Sequence, residues 1–119
     1  MSTYSVTEAF VARLAQLGYA VSTRPPEQAP QGGEFVTVER VGGGVADWLD
    51  RPSMAVQCWA ATEERAEEMA NEVRLALLDN PPLGVLHLAV DSGPYPFWDE
   101  GTGLPRYQTT FNCTAQLTA

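Results

Sequence analysis

Residues 51–80, RPSMAVQCWAATEERAEEMANEVRLALLDN, change period half-way. Met54, Val56, Cys58 and Ala60 alternate with Ala55, Gln57 and Trp59, and period two on a pleated backbone sends the two sets to opposite faces. From Thr62 the apolar residues recur at helical spacing, as Ala66, Met69, Ala70, Val73, Leu77 and Leu78. Thr62 can cap this helix by accepting from a first-turn N–H, and Glu63 and Glu64 place negative charge at its positive end. Asn80 before Pro81-Pro82 stops it, since proline lacks the donor a helix needs. The short link predicts a helix folded back over the sheet that holds the strand, with the core between them.

Upstream, TEAFVARLAQL (7–17) predicts a first helix with Phe10, Val11, Leu14 and Leu17 on its apolar stripe, and Gly18 as C-terminal cap. YAVST (19–23) predicts a short strand and PPEQAPQGGE a loop. FVTVERV (35–41) alternates with high β-branched content and predicts a second strand. Gly42-Gly43-Gly44 matches neither phosphate-loop pattern and is expected as a flexible turn. In the following loop to residue 52, Trp48 and Leu49 either fold onto the core or contact another chain.

Downstream, LGVLHLAVD (83–91) predicts a strand with Leu86, Leu88 and Val90 on one face and His87, the single histidine, on the other. A lone histidine without a partner is expected to be structural or exposed. SGPYPFWDEGTGLP (92–105) predicts a loop that either packs back through Tyr95, Phe97 and Trp98 or projects to anchor a partner. Asp99 and Glu100 are expected to be solvated. RYQTTFNCTAQL (106–117) predicts a long strand with one apolar and one polar face, beside the strand 54–60.

The expected fold is therefore α+β: a mostly antiparallel sheet of four to five strands, two helices packed on one face, order α-β-β-β-α-β-β, in a single domain over 1–119. The opposite face of the sheet is expected to stay wet.

Composition narrows the function. With 45% apolar and 18% charged residues in 119, a folded globule is favoured over disorder. The net charge of −8 and seven scattered arginines, with no lysine, argue against gripping nucleic acid phosphates. No apolar run is long enough for a membrane span, and MSTYSVTEAF lacks the pattern of a signal peptide, so a reducing cytoplasm is expected. Cys58 and Cys113 have no metal spacing and are expected as buried small apolar residues. No nucleophile motif, nucleotide loop or metal-ligand spacing is present. The expectation is no catalytic residue, no cofactor, no metal and no enzymatic activity.

Three stretches together carry a resemblance: FVTVERVGGG (35–44), RPSMAVQCWAATEERAEEMANEVRLALL (51–78) and GPYPFWDEGTGLPRYQTTFNCTAQL (93–117). The series is a valine-rich strand into glycines, Arg-Pro, a strand ending Trp-Ala, a helix A-x-x-x-A-x-x-V-R-x-A-L-L, and an aromatic proline segment before Arg-Tyr and a last strand. It resembles the tail terminator, or tail completion, proteins of long-tailed bacteriophages, especially those of actinobacterial hosts. The resemblance implies a structural virion protein, a homo-oligomer in a hexameric ring. It implies a cap on the tail tube protein that ends tube polymerisation and faces the head-completion protein of the neck. DNA would pass through its channel without specific binding. Its implied place is the virion at the head–tail junction, with the host cytoplasm as site of assembly. Trp48, Leu49, Tyr95, Phe97 and Trp98 are the expected subunit or tube contacts, on composition rather than on the resemblance. The alternatives are another neck component (head-closure or adaptor), or a small-molecule-binding or hydrolytic α+β domain built on His87 or the acids.

Overall fold

The structure, a computed structural model, describes residues 3–25, 33–97 and 103–118. The elements are α1 (Val6–Ala15), β1 (Val21–Ser22), β2 (Phe35–Ala46), β3 (Leu49–Trp59), α2 (Glu63–Asp79), β4 (Val85–Pro96) and β5 (Arg106–Ala115). One five-stranded sheet has the order β1-β2-β3-β5-β4. Only β1 and β2 run parallel, and the other pairs are antiparallel. The α+β class and the element order agree with the sequence reading.

The last strand lies inside the sheet. β3 and β4 both pair with β5, so α2 carries the chain over a gap that β5 later fills. The predicted pairing of the central strand with the last one is present, with Val56 opposite Thr109 and Gln57 opposite Gln108.

Both helices lie on one face. Phe10 and Leu14 of α1, and Ala66, Met69, Ala70, Val73 and Leu77 of α2, share one buried cluster with Val36, Val38, Met54, Val56, Cys58 and Phe111. Each large side chain buried there contributes about 1.5–3 kcal/mol. The caps are those the residue types predict: Ser5 Oγ accepts from Glu8 N, and Thr62 Oγ1 accepts from Arg65 N, both at 3.2 Å. Leu78, expected in the apolar stripe, is 40% exposed at its margin.

Four local expectations are overturned. First, Gly42-Gly43-Gly44 is not a turn but part of β2, opposite Ser53, Pro52 and Arg51. The reversal is made by Asp47 and Trp48, with φ of 53° and 65°, both left-handed as a two-residue type I′ hairpin requires. Gly43 has φ 88°, and a Cβ there would lie 2.0 Å from the Arg51 carbonyl oxygen, so a glycine lets the strands close up. Second, β4 continues through Ser92, Tyr95 and Pro96, which pair with β5 across register shifts, so this half of the expected loop is strand. Third, a register shift between Val85 and His87 sets Val85 against the core and leaves Leu86 63% exposed, replacing Leu86 on the buried side. Fourth, the face away from the helices is wet only in part: Phe35, Thr37, Ala55, Gln57 and Trp59 are buried there, while Asn112 on the same face is exposed.

Candidate functional site

That second face is built as rungs across the strands. Phe35, Trp59 and Arg106 are register neighbours on β2, β3 and β5. The Phe35 and Trp59 rings stack at 5.1 Å and 16°. The Arg106 guanidinium lies 4.7 Å from the Trp59 ring centroid and 4.2 Å from that of Phe97, a cation held between two π faces. Arg106 Nε donates to the Phe97 carbonyl at 3.0 Å, and Phe97 N donates to the Arg106 carbonyl at 2.9 Å.

The next rung is polar. Thr37, Gln57, Gln108 and Tyr95 stand opposite one another on β2, β3, β5 and β4. Thr37 Oγ1 donates to Gln57 Oε1 at 2.7 Å and accepts from Trp59 Nε1 at 3.0 Å. Gln57 Nε2 donates to Gln108 Oε1 at 2.8 Å and to Glu39 Oε1 at 3.0 Å. Gln108 Nε2 donates to the Tyr95 hydroxyl at 2.5 Å. Gln57 is only 3% exposed, so this satisfaction is what makes its burial tolerable. The donors point at each other rather than at an opening.

The sequence-expected contact residues fall in two places. Trp48 is the hairpin tip and is 89% exposed, with half-buried Leu49 beside it. Tyr95 and Phe97 lie on the rungs just described, with ring centroids 6.4 Å apart. These rungs sit toward the Trp59 end of β3, whereas Trp48 precedes its other end. The two groups therefore do not form one surface. Trp98, with Asp99 and Glu100, lies outside the described residues.

The hairpin is fixed near its tip by an ion pair. Arg40 Nη1 and Nη2 donate to Asp50 Oδ2 and Oδ1 at 2.5 and 2.7 Å, a bidentate fork. These bonds hold the Asp50 carboxyl below its ordinary value. From Glu39 to Trp48 every residue is exposed, Val41 and Val45 included.

Among the described residues, the thiols are buried and the cation of the open groove is committed. Cys58 and Cys113 are free and buried, and burial pushes both thiols up to about 12, far from a reactive thiolate. His87 is exposed on β4, opposite Thr114. An open groove of 550 Å³ lies between α1 and the turn after α2, lined in part by Glu8, Arg13 and Asn80. Its cation is used: Arg13 Nε donates to the Asn80 carbonyl at 2.7 Å and Nη2 to that of Ala76 at 3.2 Å, closing the end of α2. Among the described residues no three His, Cys, Asp or Glu side chains gather as metal ligands.

Sequence reasoning missed the rungs and the leucines around the turn after α2. The signal for the rungs was available, because Trp59 and Gln57 alternate in step with Arg106 and Gln108. No family model matches the chain, and no curated protein matches it.

Proposed function

We propose that this chain is the subunit of a ring that caps the tail tube of a long-tailed bacteriophage and forms the tail side of the head–tail joint. It acts by joining copies side by side, not by catalysis. The observation that carries this reading is Trp48: the largest side-chain type, 89% exposed, held in a left-handed conformation at the end of a β-hairpin. The type I′ turn calls for that conformation, but a tryptophan there, where glycine or asparagine is usual, carries a steric cost that the turn alone does not demand. Aromatic side chains are also the commonest anchors of protein interfaces.

Two further features support the reading. The three stretches that resemble tail terminators include the body of β2, most of β3, α2 and β5. A subunit charge of −8 lets DNA pass a channel without being held.

Electron microscopy of the full chain mixed with purified tail tubes tests the proposal. Six-fold rings on one end of each tube, with tube length no longer increasing, are the expected result. Tube ends left bare at saturating protein would remove the proposal. Binding to portal-bearing heads instead would move the chain to the head side of the neck.

A further inference from the structure

We infer that the hairpin tip of one copy docks beside the α2–β4 turn of a second copy, with Trp48 on Leu78, Leu83 and Leu86 and Asp47 facing Arg74. The choice of a second copy as occupant rests on the proposed ring. The two surfaces themselves are read from the fold.

The receiving surface carries exposed leucines around a fixed turn, with Leu78 one helical turn beyond a cation that has no ion pair among the described residues. Leu83 is 88% exposed, Leu86 63% and Leu78 40%, all within nine residues around one turn. The turn is fixed: the Tyr4 hydroxyl donates to the Leu83 carbonyl at 2.6 Å, Val85 N to Pro82 O at 3.0 Å, and Gln116 N to Gly84 O at 3.0 Å. Leu83 is thus held outward, and a rigid patch loses little entropy on docking. α2 packs over β5 and β4, and Glu67, Arg74 and Leu78 share the flank of it away from α1, whose Arg13 reaches the Ala76 carbonyl. Arg74 makes no ion pair among the described residues, and its Nε is buried without a hydrogen-bond partner.

The donating surface has the complementary chemistry. Trp48 supplies apolar area, and Asp47 beside it is an exposed carboxylate with only a distant contact of 3.9 Å to Arg51. A carboxylate and a guanidinium with no ion pair among the described residues are a matched pair, and Arg and Trp are both enriched in interface hot spots.

Topology sets tip and patch at one height. Asp50 of β3 and Val85 of β4 both stand opposite Ala115 of β5, so the hairpin tip and the α2–β4 turn lie at the same end of the sheet. They lie toward opposite lateral edges, since β2 and β4 flank β3 and β5. A contact between two different patches at one height repeats sideways, the step that closes a ring.

The test uses Trp48→Ala as a tip variant and Leu86→Glu as a patch variant, both at exposed positions. Sedimentation velocity is run on the full chain up to millimolar concentration, with tail tubes added in a parallel arm. The wild-type chain is expected to associate, and each variant alone to associate at least tenfold more weakly. Mixed in equal amounts, the variants are expected to give a dimer and nothing larger, since each retains one intact surface. Variants that associate like wild type would overturn the inference and leave the ring standing. Mixed variants that stay monomeric also overturn it. A wild-type chain that stays monomeric, even on tubes, removes both the inference and the proposed function.

Discussion

Gln57 shows how a polar side chain is made to fit inside this sheet. Its Oε1 accepts from Thr37 and its Nε2 donates to Glu39 and Gln108, so each polar atom is used. Thr37 Oγ1 is the hinge of the set, because it also accepts from the Trp59 indole. Thr37→Val keeps the shape but leaves Gln57 Oε1 and Trp59 Nε1 without that partner. The expected loss is about 1–3 kcal/mol, read as a lower urea midpoint at constant slope. The single-strand alternation of Gln57 and Trp59 was legible in the sequence. That these side chains would be buried was not, because their cover comes from pairing with residues about twenty and fifty positions away, Thr37 and Gln108.

The same argument applies to Gly43, where the backbone rather than a side chain is the constraint. Alanine there meets the Arg51 carbonyl and must hold φ of 88°. Gly43→Ala is expected to destabilise by about 1–3 kcal/mol. Gly44→Ala, with open space around the added methyl, is expected to stay within about 0.5 kcal/mol. Paired urea titrations of the two variants separate a specific close approach from a general need for glycine.

Helices and hairpins differ in how openly the chain declares them. α2 was legible to within a residue, since Thr62, the acidic first turn and Asn80-Pro81 are local signals. The β2–β3 hairpin was not, because the usual turn pair Asn-Gly is replaced by Asp47-Trp48, and the glycines that look like a turn sit one strand earlier. A further mark of the hairpin is the bidentate pair of Arg40 and Asp50 across its two strands. Asp50 titrates below its ordinary 3.8 in the folded chain because Arg40 hydrogen-bonds its charged form. A depressed carboxyl gives stability that is complete above the unfolded value and lost as pH falls through the folded one. Stability measured from pH 7 downward is therefore expected to fall below about pH 4. Asp50→Asn is expected to lower stability at pH 7 and flatten that acid limb, since it removes one of the groups that must be protonated. An acid limb unchanged in the variant would show that the pair adds nothing to the hairpin.

Of the expected contact residues, Trp48 stands exposed at the hairpin tip, while Tyr95 and Phe97 pack back onto the rungs, one of the two courses the sequence allowed that stretch. The chain's composition also bears on how copies would meet in the proposed ring. Each carries −8, in a body of 42 by 26 by 25 Å, so adjacent copies repel through their general charge. At 10 mM salt the Debye length is roughly 30 Å, longer than the body is wide; at 150 mM it is roughly 8 Å. Raising salt over that range removes repulsion between distant acids but only weakens a carboxylate–guanidinium pair in contact. Burial of Trp48 and the leucines is not screened at all. Association of the full chain is therefore expected to strengthen with salt, by several-fold in the association constant read by sedimentation, and Asp47→Asn is expected to steepen that rise by removing the one proposed contact that salt opposes. If association instead weakened over the same range, charge pairing rather than apolar docking would join the copies, and the tip would have to be sought among the acids of α2 and the scattered arginines.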